Sequence, residues 1–233
     1  KTRHKYPIND FPLIPRYAVL DPEVTKSLPP ALTATTGMDA LTHAVEAYIG
    51  RSTTKETRQD AVNAVRLIFA NIRDAYQDGS NMRARKQMLR AAYLAGNAFT
   101  RSYVGYVHAV AHSLGGKYNT PHGLANAVLL PFVLEAYGQT AHRPLHALAV
   151  AVGISDWRES DEEGAVKFIE AIRQMKKDLS IGDTICGIQK KDIPGLARQA
   201  EKEANPLYPV PDLMTAKQLE EFYYMVMEEE THA

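Results

Sequence analysis

Apolar residues recur at the spacing of an α-helix along most of this chain. The stripes and their flanking signals predict helices over residues 37–50, 56–77, 81–99, 101–114, 123–138, 160–179, 192–204 and from 215 onward. The alternation of strand, helix and strand that builds a nucleotide-binding sheet is absent, as are a Gly-x-Gly-x-x-Gly run and a Walker loop. The pattern therefore predicts an all-α fold, a bundle of helices.

Several predicted helix ends carry capping signals. Capping boxes of the form Ser/Thr-x-x-Glu/Gln begin at Ser160 and at Thr215, where each would satisfy N–H groups in the first turn of a helix. Either Thr35 or Thr36 is expected to cap the helix that follows it. The pair Gly115-Gly116 is expected to end the helix that carries the histidines described below.

The amino-terminal residues differ from the helical remainder. Residues 1–20 contain three prolines and end in a short apolar run at 17–20, before Asp21-Pro22. This composition predicts an extended linking arm with a possible strand at its end. The helical domain is then expected to span 21–233. The arm opens without Met in an extended segment, so further residues are expected upstream.

Charge and cysteine content limit the classes of function. Lys+Arg and Asp+Glu both total 27, a balance that does not favour nucleic acid or an anionic membrane as a partner. The short basic run Arg83–Lys86 is expected to be a solvated helix face. Cys186 is the only cysteine, which excludes an intramolecular disulfide and predicts a reducing, cytoplasmic location. No apolar run reaches the roughly 18 residues of a membrane span.

Two segments contain side chains suited to binding a metal ion. His108, His112 and His122 fall within one largely apolar stretch, and Asp39 and His43 lie four residues apart on one face of a predicted helix. Imidazole is the commonest protein ligand for transition metals and also moves protons near neutral pH. One carboxylate with several imidazoles and no sulfur suits Fe²⁺, Zn²⁺, Mn²⁺ or Co²⁺.

Each pair also has a plainer interpretation when taken alone. Asp39 in a first helical turn is favoured by the helix dipole, which would leave His43 as a half-buried polar residue. His108 and His112 match the common HxxxH spacing of two hydrogen-bonded histidines, whereas His122 is expected on a loop stiffened by Pro121. The other histidines are interpreted as surface or packing residues: His4, His142, His146 and His232. Glu46 is expected to face solvent or an arginine.

Two longer motifs resemble one known family. GMDALTHAVEAY at residues 37–48 and GYVHAVAHSLGGKYNTPHG at residues 105–123 resemble the two signature regions of the iron-containing (group III) alcohol dehydrogenases. The segments before the first motif and at the carboxyl terminus are similar as well. The resemblance implies the helical, metal-binding carboxyl-terminal domain of that family, with a dehydroquinate synthase-like α-domain fold.

The resemblance also implies roles for individual residues. The family's metal ligands fall on Asp39, His43, His108 and His122, and the metal is Fe²⁺, with Zn²⁺ or another divalent ion possible. The position of His112 lies near the nicotinamide and the substrate, where it could act as a proton carrier. Phe99 matches a position that lines the substrate pocket.

The implied activity is an oxidoreductase that interconverts small alcohols with aldehydes or ketones by hydride transfer to NAD or NADP. In the family an amino-terminal α/β domain binds the nicotinamide cofactor, and no such domain is found in this sequence. The chain alone is therefore expected to bind metal without turnover, and family members are commonly homo-oligomers, often dimers.

Two other interpretations stay open at this stage. One is half of a glycerol-dehydrogenase or dehydroquinate-synthase type of enzyme, against which the fourth ligand, His122, argues. The other is a non-catalytic helical oligomerisation module.

Overall fold

The computed structural model describes residues 5, 8 and 10–228, and this part of the chain is almost entirely helical. Three short 3-10 helices cover Phe11–Leu13, Pro22–Thr25 and Lys190–Asp192. The α-helices are α1 (Pro30–Ile49), α2 (Lys55–Gln77), α3 (Met82–Ser102), α4 (Tyr106–Tyr118), α5 (His122–Ala136), α6 (Gln139–Ala151), α7 (Asp161–Asp178), α8 (Ile193–Ala204) and α9 (Ala216–Val226). The described residues contain no strand, only one isolated bridge between Ile185 and Met227. The all-α prediction is confirmed. None of these helices combines the length and apolar character needed to cross a membrane.

Helix α1 lies at the centre of the bundle. It contacts α2, α3 and α5, while α4 lies between α5 and α8, and α6 packs on α7. Small side chains let α1 approach its neighbours closely, because Ala34, Ala44 and Ala47 are all buried. The largest fully buried side chains of the core include Tyr106, Phe168, Phe222, Tyr223, Leu41 and Ile68. Because neighbouring helices pack against α1, the side chains that α1 carries are held in defined positions.

The capping predictions are confirmed at two helices and wrong at a third. Ser160 and Thr215 each accept a hydrogen bond from the backbone N–H three residues on, as capping boxes require. Helix α1, however, begins at Pro30, where a proline at the first position is already fixed in a helical φ. Thr35 and Thr36 therefore lie inside the helix, and their hydroxyls donate to carbonyls of its preceding turn.

The helix end predicted at Gly115-Gly116 is also wrong. Helix α4 continues to Tyr118, and the chain leaves it at Asn119, which adopts a left-handed conformation with φ of 59°. Asparagine tolerates that conformation and ends helices in the same way as glycine. Consequently only three residues separate α4 from α5, and His122 is the first residue of α5 rather than part of a loop.

The possible strand in the arm is not observed. Residues 17–20 form no regular element and have no neighbouring strand within the described part of the chain, so their backbone cannot join a ladder. Tyr17 is 89% exposed and Val19 is 93% exposed, so this apolar run lies outside the core. Much of the rest of the arm, Lys1–His4 included, lies outside the described residues.

The basic run on α3 is only partly solvated. Arg83 and Lys86 are exposed as expected, but the side chain of Arg85 is buried. Its guanidinium donates to the Thr33 hydroxyl at 2.6 Å and to the backbone carbonyls of Gly79 and Leu28. Arg85 thus fastens the segment before α1 to α3.

His146 on α6 is held between two acceptors. Its Nδ1 lies 3.0 Å from Asp161 Oδ1 on α7, and its Nε2 lies 3.0 Å from the carbonyl oxygen of Asp156. Both ring nitrogens can be hydrogen-bonded only if both carry protons, which makes the ring a cation. The bond to Asp161 is the main cause that raises the pKa of His146 above its usual 6.5.

We expect this interaction to make stability depend on pH. A histidine whose pKa is raised by folding stabilises fully below its unfolded pKa, about 6.5, and loses that contribution as the pH rises through the folded pKa. Asp161→Asn should lower the free energy of unfolding by about 1–2 kcal/mol at acidic pH. The difference from the unmodified protein should shrink at alkaline pH, as measured by urea unfolding across that range.

Glu162→Gln is the matched control, because it removes an exposed carboxylate from the same first turn of α7 without touching His146. A pH-independent difference for Asp161→Asn, or an equal effect of Glu162→Gln, would contradict a charged His146.

Candidate metal centre

Four side chains from three helices meet at one point. Asp39 and His43 come from α1, His108 from α4 and His122 from α5, and one ligand atom of each lies within 4.8 Å of the others. Asp39 Oδ1 is 3.7 Å from His108 Nε2 and 3.6 Å from His122 Nε2. We call these four residues the ligand cluster. Carboxylate oxygen and imidazole nitrogen at such distances can reach a single divalent ion.

Local geometry brings the three helices together. Asp39 and His43 share a face of α1 because they lie four residues apart. Gly123 lets the start of α5 touch α1, since a Cβ on that glycine would lie only 2.5 Å from the carbonyl oxygen of Thr35. His122 precedes this contact and is thereby carried to the side of Asp39.

The cluster combines a charged carboxylate with two neutral imidazoles. Burial and the charge of His108 lower the pKa of His43 to about 3. Burial also lowers the pKa of His122, to about 4, against the opposing effect of Asp39. For Asp39, burial acts to raise the pKa, but the interactions with His108 and His43 outweigh it and hold the pKa well below the usual range. Asp39, His43 and His122 therefore offer free lone pairs to the centre at neutral pH.

Glu46 holds His108 from the other side. Its buried carboxylate lies 2.6 Å from His108 Nδ1 and also accepts the backbone N–H groups of Gly105 and Val107, both at 2.8 Å. The expectation that Glu46 faces solvent or an arginine is wrong. Because α4 has no side-chain cap of its own, Glu46 of α1 satisfies the free N–H groups at its start.

This contact requires glycine at position 105. A Cβ there would lie 2.7 Å from Glu46 Oε1, closer than carbon and oxygen tolerate. With Nδ1 of His108 engaged by Glu46, its Nε2 points to Asp39. Burial acts to lower the pKa of His108. The carboxylates of Asp39 and Glu46 outweigh this effect and raise that pKa to about 9. A carboxylate on the remote nitrogen is the usual way in which a ligating histidine is oriented.

The other two residues singled out in the sequence lie beside the cluster. The ring of Phe99 stacks on His43 with centroids 4.2 Å apart, and the ring of His112 stacks on His122 at 5.2 Å. His112 is not one of the four converging residues. Its Nδ1 lies 2.7 Å from Glu203 Oε1 on α8, and that oxygen also accepts the hydroxyl of Tyr208 at 2.8 Å.

Three residues that contact the site were missed in the sequence. Glu46 follows Asp39 by seven residues, so helical spacing alone could have placed it on the same face. Asn126 follows His122 by four, and its amide nitrogen lies 2.6 Å from Asp39 Oδ1. Glu203 comes from a distant helix, and nothing in the local sequence predicts its contact with His112.

The remaining histidines stay apart from the cluster. His146 is buried against Asp161, and His142 lies half-buried on the same helix, as packing or surface residues would. His4 and His232 lie outside the described residues.

We expect Glu46→Gln to weaken both the fold and the site. The amide turns an NH₂ group towards one of the three donors, so at least one buried hydrogen bond to a charged group is lost, at a cost of roughly 2–3 kcal/mol. Zn²⁺ affinity should fall by about 10- to 100-fold, because His108 loses its orienting partner. Thermal unfolding and titration calorimetry measure the two effects. Glu170→Gln, on the exposed face of α7, should change neither, and an equally silent Glu46→Gln would refute the role assigned to Glu46.

Comparison with known proteins is consistent with this geometry. The model of the Fe-containing alcohol dehydrogenase family, C-terminal, matches residues 33–227. The chain is 42% identical over 208 residues to 1,3-propanediol dehydrogenase of Klebsiella pneumoniae, covering 88% of this chain and 54% of that protein. It is 36% identical over 185 residues to the NADPH-dependent butanol dehydrogenase of Clostridium saccharobutylicum, covering 79% and 47%.

A solved structure shows the same fold. The crystal structure of a 1,3-propanediol oxidoreductase superposes with a TM-score of 0.84 at 39% identity, over 89% of this chain and 55% of that one. The chain thus spans about half the length of the curated relatives it matches. With the matched region covering most of the described helices, the chain belongs to the Fe-containing alcohol dehydrogenase family and corresponds to its C-terminal domain.

Proposed function

We propose that this chain supplies the metal-binding part of an alcohol dehydrogenase that interconverts small alcohols with their aldehydes or ketones. One observation carries the proposal: the ligand cluster converges within 4.8 Å in a chain of the iron-containing family. The names of the propanediol and butanol dehydrogenases support a small aliphatic alcohol as the substrate class.

The donor set fits a first-row divalent ion. Asp39, His43, His108 and His122 would hold it through one oxygen and three nitrogens, a combination suited to Fe²⁺ and equally to Zn²⁺. The low pKa values of His43 and His122 leave their lone pairs free at neutral pH. Bound there, the ion would supply Lewis acidity, which lowers the pKa of an alcohol hydroxyl or polarises an aldehyde carbonyl.

The neighbouring side chains have separate tasks in this proposal. Phe99 covers His43 and presents an apolar wall to the carbon chain of the substrate. His112 uses Nδ1 for Glu203, which leaves Nε2 to take up the proton of the alcohol and pass it towards solvent. Val107 and Leu114, on the same helix as His108 and His112, are fully buried, whereas the side chains of Asp39 and His122 are 21% and 29% exposed, so the centre is open on that side.

The hydride acceptor is proposed to be NAD or NADP. One relative carries NADPH dependence in its name, and the relatives are about twice as long as the matched region. We therefore assign cofactor binding to an α/β domain outside residues 1–233, so that this chain alone binds metal but does not turn over. Assembly as a homo-oligomer, for example a dimer, stays a prediction.

Metal binding tests the ligand cluster directly. The chain should bind one equivalent of Zn²⁺, or of Fe²⁺ without oxygen, in titration calorimetry. Asp39→Ala and His122→Ala each remove one of four ligands and should weaken binding by at least about 100-fold, consistent with the large contribution of each ligand to metal affinity. His142→Ala is the matched control. Binding by the two ligand variants at the affinity of the unchanged chain would favour a non-catalytic helical module.

The role of His112 is tested by kinetics. The kinetics are measured on the longest natural form of the protein that contains this sequence, loaded with Fe²⁺. In that protein His112→Gln should lower kcat by about 10²- to 10⁴-fold, the usual contribution of a proton-transfer residue. The calorimetric Zn²⁺ affinity should be unchanged, because His112 is outside the ligand cluster. A parallel loss of metal binding would instead make His112 a ligand.

A further inference from the structure

The amide of Asn126 lies among the ligand atoms of the cluster. Its Nδ2 is 2.6 Å from Asp39 Oδ1, 3.1 Å from His108 Nε2 and 3.2 Å from His122 Nε2. Asn126 is fully buried on α5, one turn after His122. Among the described residues outside the cluster, Asn126 is the one whose side chain lies within hydrogen-bond distance of three cluster members.

The two ends of this amide are in unequal surroundings. The nitrogen carries two protons, which serve Asp39 and the neutral ring of His122, because the pKa of about 9 leaves His108 protonated at neutral pH. The oxygen Oδ1 is buried and has no hydrogen-bond partner among the described residues. A buried carbonyl without a partner costs free energy, so it calls for a physical reason.

We propose that Asn126 is a fifth member of the metal centre, one that bridges the ligands through its NH₂ group in the metal-free chain and turns its oxygen to a bound cation. The inference rests on the proposed metal centre. An ion that takes the lone pairs of Asp39 and His122 leaves the NH₂ group without acceptors and repels its partial positive charge. A half-turn about the Cβ–Cγ bond exchanges nitrogen and oxygen with almost no change of shape.

The exchange is balanced in free energy. One end of the amide is buried without a partner in either orientation, so the desolvation cost is similar before and after the turn. An amide oxygen is a suitable ligand or close neighbour for a divalent ion. The ligands are thereby kept together without metal, and the same side chain favours the ion once it arrives.

Two substitutions separate this role from simple packing. Asn126→Leu keeps the size but removes both polar ends, so Zn²⁺ affinity should fall about tenfold, as for other groups that support a metal site. Asn126→Asp offers only oxygen and adds a negative charge, so Zn²⁺ should bind at least about tenfold tighter. In the presence of a chelator Asn126→Asp should melt at a lower temperature than the unchanged chain, because a second carboxylate then replaces the NH₂ group that donates to Asp39 and repels that carboxylate.

The experiment measures Zn²⁺ affinity by calorimetry, and the melting temperature with Zn²⁺ and with chelator, on the 233-residue chain. Asn63→Leu and Asn63→Asp are matched controls on α2, where the side chain bonds only Gln59. Opposite changes in affinity for the two Asn126 variants support the proposal. Two variants that weaken binding alike, or that leave it unchanged, overturn it.

The same titrations distinguish the inference from the proposed function. If the unchanged chain binds no Zn²⁺, the metal centre itself is refuted and the inference falls with it. If the chain binds Zn²⁺ through Asp39 and His122 while both Asn126 variants match it, only the inference fails. If Asn126→Leu does not fold, Asn126→Asp still tests the inference. Its Zn²⁺ affinity must rise and its melting temperature in chelator must fall, and the absence of either change overturns the inference.

Discussion

The buried carboxylate of Glu46 is the interaction on which the rest of the site depends. It joins α1 to α4 by accepting two backbone N–H groups at the start of α4 and the ring of His108. A buried carboxylate is tolerated only when its lone pairs are satisfied, and these three donors satisfy them. One contact therefore fixes where α4 begins, how close it lies to α1, and which nitrogen of His108 is free.

The helices could be predicted from the sequence because their signals are local. The apolar stripe of α2 and the capping boxes at Ser160 and Thr215 depend only on residues within a few turns, and the structure confirms them. The errors arose where one local signal competed with another. Pro30 begins α1 ahead of Thr35, and α4 continues past Gly115-Gly116 until Asn119 ends it.

The candidate site was predictable to the extent that it follows helical spacing. Asp39 and His43 share a face of α1 by their separation, whereas His108 and His112, at the same separation, divide between two networks. That division depends on Glu203, which reaches His112 from α8, and no local pattern contains it. Spacing therefore predicts which residues can meet, and tertiary contacts decide which of them do.

The ligand cluster opposes folding, and the surrounding structure compensates for it. One carboxylate and three imidazoles crowd together where most of their surface is removed from water, and the positive charge of His108 disfavours a proton on His43 and on His122. The groups that offset this are donors and acceptors just outside the cluster: Glu46 orients His108, and the Asn126 amide bridges to Asp39. Such an arrangement has no advantage for packing, since an apolar centre would be more stable. Its presence beside an otherwise well-packed core is the strongest physical reason to regard this point as the place where the protein acts.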